Sequence, residues 1–89
     1  MKKAMIKLQN EEGLHARPAN LFSKTAMKFK SDIKILKNGD PRKVFNPKSI
    51  LSILSMGAIK GDELTITAEG EDEEEAIAKV IDLVKNGFN

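Results

Sequence analysis

Cysteine, tryptophan and tyrosine are absent from this chain of 89 residues, and its only histidine is His15. Without cysteine the chain has no disulfide and no thiolate metal site, and one histidine provides too few ligands for a histidine-based zinc site. No apolar run is long enough to span a bilayer, and the first residues lack the apolar core of a signal peptide. We therefore expect one small cytoplasmic domain over residues 1–89, without membrane insertion.

Acidic residues are scarce in the first two thirds of the chain. Residues 1–60 hold 13 Lys and Arg against 4 Asp and Glu, a net charge of +9, whereas residues 61–89 carry a net charge of −7. A basic field would attract phosphates or acidic partners, with RNA as a competing partner. The lack of Trp and Tyr for base stacking, and of any nucleic-acid-binding motif, argues against nucleic acid.

The spacing of apolar residues predicts an α+β fold with the element order βαββαβα. Alternation of apolar and polar residues indicates strands, and recurrence every three to four positions indicates helices. The predicted strands are 4–8, 33–35, 43–45 and 64–68, and the predicted helices are 19–29, 50–54 and a third that begins in the acidic run 71–75. This order predicts an open-faced sandwich, a four-stranded antiparallel sheet with three helices on one face.

Turn and burial signals refine this prediction. Asn38-Gly39 is typical of a hairpin turn, and Pro41 marks the returning strand as an edge strand. Gly57 should end the second helix. Thr65 and Thr67 should face solvent, since they alternate with apolar residues. The apolar stripe of the third helix is predicted to consist of Ile77, Val80, Ile81 and Val84.

The stretch 13–19, Gly-Leu-His-Ala-Arg-Pro-Ala, combines three features that suit a phosphoryl group. Pro18 is tolerated in the first turn of a helix, so a helix should begin here and present free backbone N–H groups to an anion. Arg17 adds a guanidinium that matches phosphate geometry. The imidazole of His15 is a competent nucleophile at neutral pH. A surface histidine without a function is the plainer interpretation, and the neighbouring features weigh against it.

The same stretch resembles the active-site signature of the HPr family, the phosphocarrier proteins of the bacterial phosphoenolpyruvate-dependent sugar phosphotransferase system. Similar segments recur at Asn38-Gly39, 48–50, 55–57, 60–61 and 68–73, so the resemblance covers essentially the whole chain. It implies that His15 accepts a phosphoryl group on Nδ1 from enzyme I and passes it to enzyme IIA domains, while Arg17 steadies the phosphate. It also implies a carrier that is a substrate of phosphotransferases and not itself an enzyme, without a cofactor or metal.

Ser49 has both a structural and a regulatory interpretation. As the N-cap of the second helix it would satisfy a free backbone N–H. The resemblance implies regulation through phosphorylation by an HPr kinase/phosphorylase, and through it an interaction with a transcriptional repressor. Two departures weaken this implication: the segment 39–49, which contains Pro47, is longer than usual in the family, and Ser52 occupies a position where regulated members often carry Gly.

Partner docking is expected on the first two helices, by resemblance, through Ala16, Asn20, Ile50, Leu51 and Leu54. Ile50, Ile53 and Leu54 fit one helical stripe, so some of them should be core. Leu51 lies off that stripe, which indicates either an isolated exposed leucine or part of a docking patch.

Three other functions remain open at this point. The first is a regulatory HPr paralogue, in a nitrogen-related branch or as a co-effector of catabolite repression, although paralogues that abandon carrier function often lose the histidine. The second is an enzyme with a phosphohistidine intermediate, which would need further acid–base residues. The third is a small RNA-binding module. The acidic run 71–75 is interpreted as a solvated helix start and not as a metal site. We expect a monomer.

Overall fold

The computed structural model describes residues 1–88 as three strands and three helices. The strands are β1 (Lys2–Lys7), β2 (Asp32–Lys37) and β3 (Glu63–Glu69), and the helices are α1 (Ala16–Met27), α2 (Ile50–Met56) and α3 (Glu73–Lys85). The sheet is antiparallel in the order β1-β3-β2. The expectation of an α+β fold with three helices on an antiparallel sheet is confirmed, but the sheet has three strands and not four.

The predicted fourth strand, 43–45, is reduced to one bridge. Phe45 pairs with Ile35 through two backbone hydrogen bonds of 2.9 Å, and the chain leaves the sheet on both sides. Pro41 and Pro47 lack a backbone N–H and so cannot donate a hydrogen bond to a neighbouring strand. The N–H of Arg42 donates to Asp40, and other nearby N–H groups likewise donate to side chains of the segment and of α2. Donors used locally cannot extend a strand ladder.

Alternation along the strands places the core on one face of the sheet. Leu64, Ile66 and Ala68 of β3 are fully buried and pair with Ile6, Ala4 and Lys2 on one side and with β2 on the other. The helices contribute the opposite wall of this core. The prediction that Thr65 faces solvent was only half right: it points to the open face but is 5% exposed, because it lies between Met5 and Leu36 of the neighbouring strands.

Two helices bury different residues than predicted. The buried positions of α3 are Ala76, Val80 and Val84, whereas Ile77 and Ile81 are only half-buried. In α2 only Ile53 and Met56 are buried, so the core residue of the proposed stripe is Ile53 alone. In α3 the buried stripe runs along every fourth residue, so Ile77 and Ile81 lie at its edge, and in α2 it runs through Ile53 and Met56.

The C-terminus of α3 is closed by two backbone hydrogen bonds and one aromatic contact. The N–H of Gly87 donates to Val84 and that of Phe88 to Leu83, the paired pattern of a Schellman motif. Phe88 is thereby turned into the core, where its ring centroid lies 6.4 Å from that of Phe22 on α1. The end of α3 thus helps to hold α1 in place.

Candidate functional site

The loop that precedes α1 is packed against the segment that follows α2. Gly13 has a φ of +61°, and a Cβ at this position would lie 2.4 Å from the carbonyl oxygen of Ala58. The N–H of Leu14 donates to the same carbonyl at 3.0 Å, and the Leu14 side chain is fully buried. Asn10 closes the loop by donating its side-chain amide to the Gly13 carbonyl at 2.8 Å. These contacts define where the next residue, His15, stands.

His15 is the N-cap residue of α1, and its side chain is exposed. Its backbone is extended, with φ −125° and ψ 164°, yet its imidazole forms no capping hydrogen bond to the helix. The first N–H groups of α1 therefore have no side-chain acceptor from the cap position, and the first turn contains no acidic residue. A nucleophilic ring, free donors and the positive end of the helix dipole lie together.

The residue after His15 has a conformation that is rare for a side chain with a Cβ. Ala16 has a φ of +52°, in the left-handed region, although it belongs to the first turn of α1. Such a conformation costs an L-residue about 1–2 kcal/mol. It turns the chain sharply between the extended backbone of His15 and the helix that follows. The site thus stores backbone strain directly next to the histidine.

The other predicted residues of this stretch are exposed on the same turn of the helix. Arg17 and Asn20 lie on the solvent side of α1, whereas Pro18 and Ala19 are buried beneath them. The guanidinium of Arg17 makes no ion pair or hydrogen bond with any other side chain of residues 1–88. The structure therefore brings His15, Ala16 and Arg17 together on one exposed surface, with Asn20 a turn further along.

Ser49 is the N-cap of α2, which confirms its structural interpretation. Its Oγ accepts a hydrogen bond from the N–H of Ser52 at 3.3 Å, and Gly57 ends the helix with a φ of +63°. The N–H of Ser49 donates to the carbonyl of Asn46, so the chain makes a turn directly before the helix. Ser49 is half-buried.

Sequence reasoning missed the connections made by Ser23 and Ser52. The hydroxyl of Ser52 accepts the N–H of Asn46 at 2.9 Å, and the hydroxyl of Ser23 on α1 donates to the carbonyl of Lys48 at 3.5 Å. Both bonds fasten the turn before α2 to the two helices. The longer segment 39–49 could have signalled such anchoring, because two prolines and two Asx residues favour local turns.

The exposed face of α2 is apolar. Leu51 is 75% exposed, and Ile50 and Leu54 are each 40% exposed. We call these three residues the α2 patch. Large aliphatic side chains exposed together on one short helix are typical of surfaces that bind other proteins. All three predicted docking residues of α2 are thus accessible, including the two that were candidates for the core.

Two findings concern other kinds of site. Among residues 1–88 no group of three or more His, Asp or Glu side chains is arranged to hold a metal ion. In the same residues, no helix has the length and apolar character needed to cross a membrane. The acids of the run 71–75 instead mark the start of α3, where Asp72 is the N-cap and Glu73 accepts the N–H of Gly70 at 3.2 Å.

Comparison with known proteins gives the class. Residues 2–86 match the family model described as PTS HPr component phosphorylation site, and the chain belongs to this family. It is a family of phosphocarrier proteins.

Three solved structures show how similar the individual members are. HPr-C-His from Thermoanaerobacter tengcongensis is 45% identical, with 99% of this chain and 96% of that chain covered and a TM-score of 0.92. The phosphocarrier protein HPr from Bacillus anthracis is 40% identical, with coverages of 93% and 95% and a TM-score of 0.85. The catabolite repression protein Crh from Bacillus subtilis, a dimer with a swapped domain, is 37% identical, with coverages of 100% and 99% and a TM-score of 0.73.

Proposed function

We propose that this chain carries a phosphoryl group on His15, which it receives from enzyme I and delivers to enzyme IIA domains during phosphoenolpyruvate-dependent sugar uptake. The observation that carries the proposal is the position of His15. It is the N-cap residue of α1, but its exposed imidazole makes no hydrogen bond to the helix. The ring is therefore available to a partner. Membership of a phosphocarrier family supports the same function.

For this transfer the chain has to place the imidazole of His15 and the groups that bind the phosphoryl oxygens. The lone pair on Nδ1 of His15 attacks the phosphorus, a P–N bond forms, and the bond from phosphorus to the donor group breaks. The first N–H groups of α1 and the guanidinium of Arg17 then stabilise the negative charge on the phosphoryl oxygens. Because the backbone N–H groups are fixed by the helix, they need no reorganisation during transfer. In delivery, a nucleophile of the acceptor attacks the phosphorus, and the P–N bond to His15 breaks.

We propose that the chain acts as a protein substrate of two phosphotransferases, monomeric and without a cofactor of its own. The phosphoryl group would be held on an exposed surface, so that a second partner can reach it for the next transfer.

A regulatory role is the second candidate, and two observations favour it. Crh, 37% identical to this chain, is a catabolite repression protein, and Ser49 occupies the N-cap of α2. A phosphate on Ser49 would add about −1.5 to −2 charges next to the α2 patch and so change what binds there. We propose Ser49 as a site for an HPr kinase/phosphorylase, with a transcriptional repressor as the partner of the modified form.

The deciding experiment is phosphorylation by labelled phosphoenolpyruvate and enzyme I. We expect an acid-labile, base-stable label on the parent chain and none on folded His15→Ala. Arg17→Ala should accept the label more slowly, by about tenfold to a hundredfold, since it loses a charge-assisted contact to the phosphoryl group. Lys24→Ala, which removes one positive charge from the exposed side of the same helix, should show a much smaller effect.

An unlabelled parent, with enzyme I active on a control acceptor, would contradict the carrier proposal. The regulatory candidate would then be tested with ATP and an HPr kinase/phosphorylase, comparing the parent chain with Ser49→Ala. A label that survives acid and depends on Ser49 would support that role. Both labels on one chain would indicate a carrier that is also regulated.

A further inference from the structure

A cavity of about 230 Å³ lies between the segment that follows β2 and the C-terminal end of α2. It exists because residues 39–49 leave the sheet after one bridge and run beside the helix instead of forming a strand. We call it the Lys37–Lys43 pocket. It is lined by Lys37, Asp40, Lys43, Phe45, Ser55 and Met56.

The pocket keeps a net positive charge although one of its walls is a carboxylate. Asp40 is committed to Arg42, whose Nε and Nη2 donate to its two oxygens at 3.0 and 3.2 Å, and these bonds hold the pKa of Asp40 below its usual value. Nζ of Lys37 donates to the carbonyl of Met56 at 2.9 Å and has two further donors. The ammonium of Lys43 forms no ion pair shorter than 4.0 Å with any residue of 1–88. An anionic oxygen would therefore find charged donors here.

The pocket is continuous with the α2 patch. Ser55, on its wall, lies four residues after Leu51 on α2, so the two side chains emerge on the same side of the helix. Both residues are exposed. A protein seated on the α2 patch would thus lie beside the pocket and could place a side chain in it.

A carboxylate of a docked protein suits the donors of this pocket. The carbonyl of Met56 accepts one hydrogen bond from Nζ of Lys37, which leaves the other two donors of Lys37 and the ammonium of Lys43 for an anionic group of the partner. Phe45 adds an apolar surface beside which the methylene groups of an acidic side chain can pack.

We propose that the Lys37–Lys43 pocket receives an Asp or Glu side chain of the protein partner that docks on the α2 patch. This inference rests on the proposed carrier function. It assigns a role to the longer segment 39–49: the segment adds a charged contact beside an apolar one and thereby selects partners that carry an acidic residue at that place.

The test is a charge reversal with a matched control. Lys43→Glu should raise the KM for enzyme I or a IIA domain about threefold to tenfold and leave kcat unchanged. The increase should shrink in about 0.5 M salt. Lys79→Glu makes the same change of charge on an exposed position of α3, so it controls for the general field. The backbone amides of Ser55 and Met56 should shift in NMR spectra when partner is added to the parent, and less in Lys43→Glu.

Each outcome separates this inference from the carrier function. If the parent accepts the phosphoryl group normally and Lys43→Glu behaves like Lys79→Glu with both partners, the pocket inference is wrong and the carrier function stands. If the parent accepts no phosphoryl group, the carrier function itself fails. Displacement of the partner by millimolar sugar phosphate, with shifts at Ser55 and Met56, would overturn the assignment to a protein carboxylate and indicate a small-molecule site.

Discussion

Gly13 lies so close to Ala58 that a Cβ on Gly13 would stand 2.4 Å from the Ala58 carbonyl oxygen. This contact places the loop before His15 against the segment that follows α2. It therefore links the position of the candidate phosphoryl acceptor to the helix that carries the α2 patch. A partner protein that contacts both His15 and the α2 patch therefore finds them at a fixed distance from each other.

The first prediction follows from this contact. Gly13→Ala should lower the free energy of unfolding by about 2 kcal/mol or more, because the new Cβ meets backbone atoms and φ is +61°. Gly39→Ala is the matched control, since its φ is +72° but nothing lies within 4 Å of the added Cβ. It should cost only about 1 kcal/mol, the penalty of the left-handed conformation alone. Equal losses in chemical denaturation would contradict the argument.

The second prediction concerns Asp72 and acid. Its carboxylate accepts the hydroxyl and N–H of Ser31 and the N–H of Lys30, which ties the start of β2 to the start of α3. The Ser31 hydroxyl bond, followed by the Lys30 amide bond, keeps the pKa of Asp72 below its usual 3.8. A lowered pKa in the folded state means that this stabilisation is present above pH 3.8 and is lost as pH falls through the folded value.

Asp72→Asn should therefore unfold at a lower temperature at neutral pH and show a weaker loss of stability on acidification. The measurement is the melting temperature between about pH 7 and pH 2. Asp82→Asn removes the same charge from an exposed position of the same helix and serves as the control. If both variants follow the parent curve, the Asp72 contacts do not stabilise the fold.

The third prediction concerns the turn before α2. Ser52→Ala removes the hydroxyl that accepts the N–H of Asn46, while the N–H of residue 52 can still donate to the Oγ of Ser49. One neutral hydrogen bond contributes about 0.5–1.5 kcal/mol, so we expect a loss of stability in that range. Hydrogen exchange at Asn46 and Lys48 should quicken.

Ser55→Ala is the control, since Ser55 donates only within α2, to the carbonyl of Ser52. It should leave the exchange at Asn46 unchanged. If the two variants were indistinguishable in exchange and in stability, the Ser52 contact would not be what orders the turn. A kinase that acts on Ser49 would then encounter the same turn with or without the Ser52 hydroxyl.

Local sequence patterns predicted most of the fold. They failed where the hydrogen-bond partners of backbone groups determine whether a segment becomes a strand. The alternation in β3 and the glycine after α2 were enough to predict a strand and a helix end, because period and left-handed conformation are local properties. The strand at Phe45 was predicted as the return strand of a hairpin, from the turn signal at Asn38-Gly39. Whether its neighbours bond to a sheet or to Asp40 and Ser52 depends on tertiary contacts that no local pattern contains.

The candidate site shows the same division. The stretch around His15 was recognisable because the helix start, the proline and the arginine are adjacent in sequence. The strain at Ala16 and the exposure of Ile50 and Leu54 could not be predicted, because both depend on how α1 and α2 pack in the fold. The Lys37–Lys43 pocket joins residues of the segment 37–45 with Ser55 and Met56, at least 10 positions further along the sequence, and only the folded chain brings them together.

The last prediction tests the α2 patch. Leu51→Glu places a charge at a position that is 75% exposed, so the fold should lose less than about 0.5 kcal/mol. A partner that buries Leu51 would have to desolvate the new carboxylate, which should raise the KM for enzyme I at least about tenfold. Met5→Glu, an exposed apolar residue on the open face of the sheet, is the control and should transfer like the parent. Unchanged transfer by Leu51→Glu would show that partners dock elsewhere, and the Lys37–Lys43 pocket would lose its neighbouring contact.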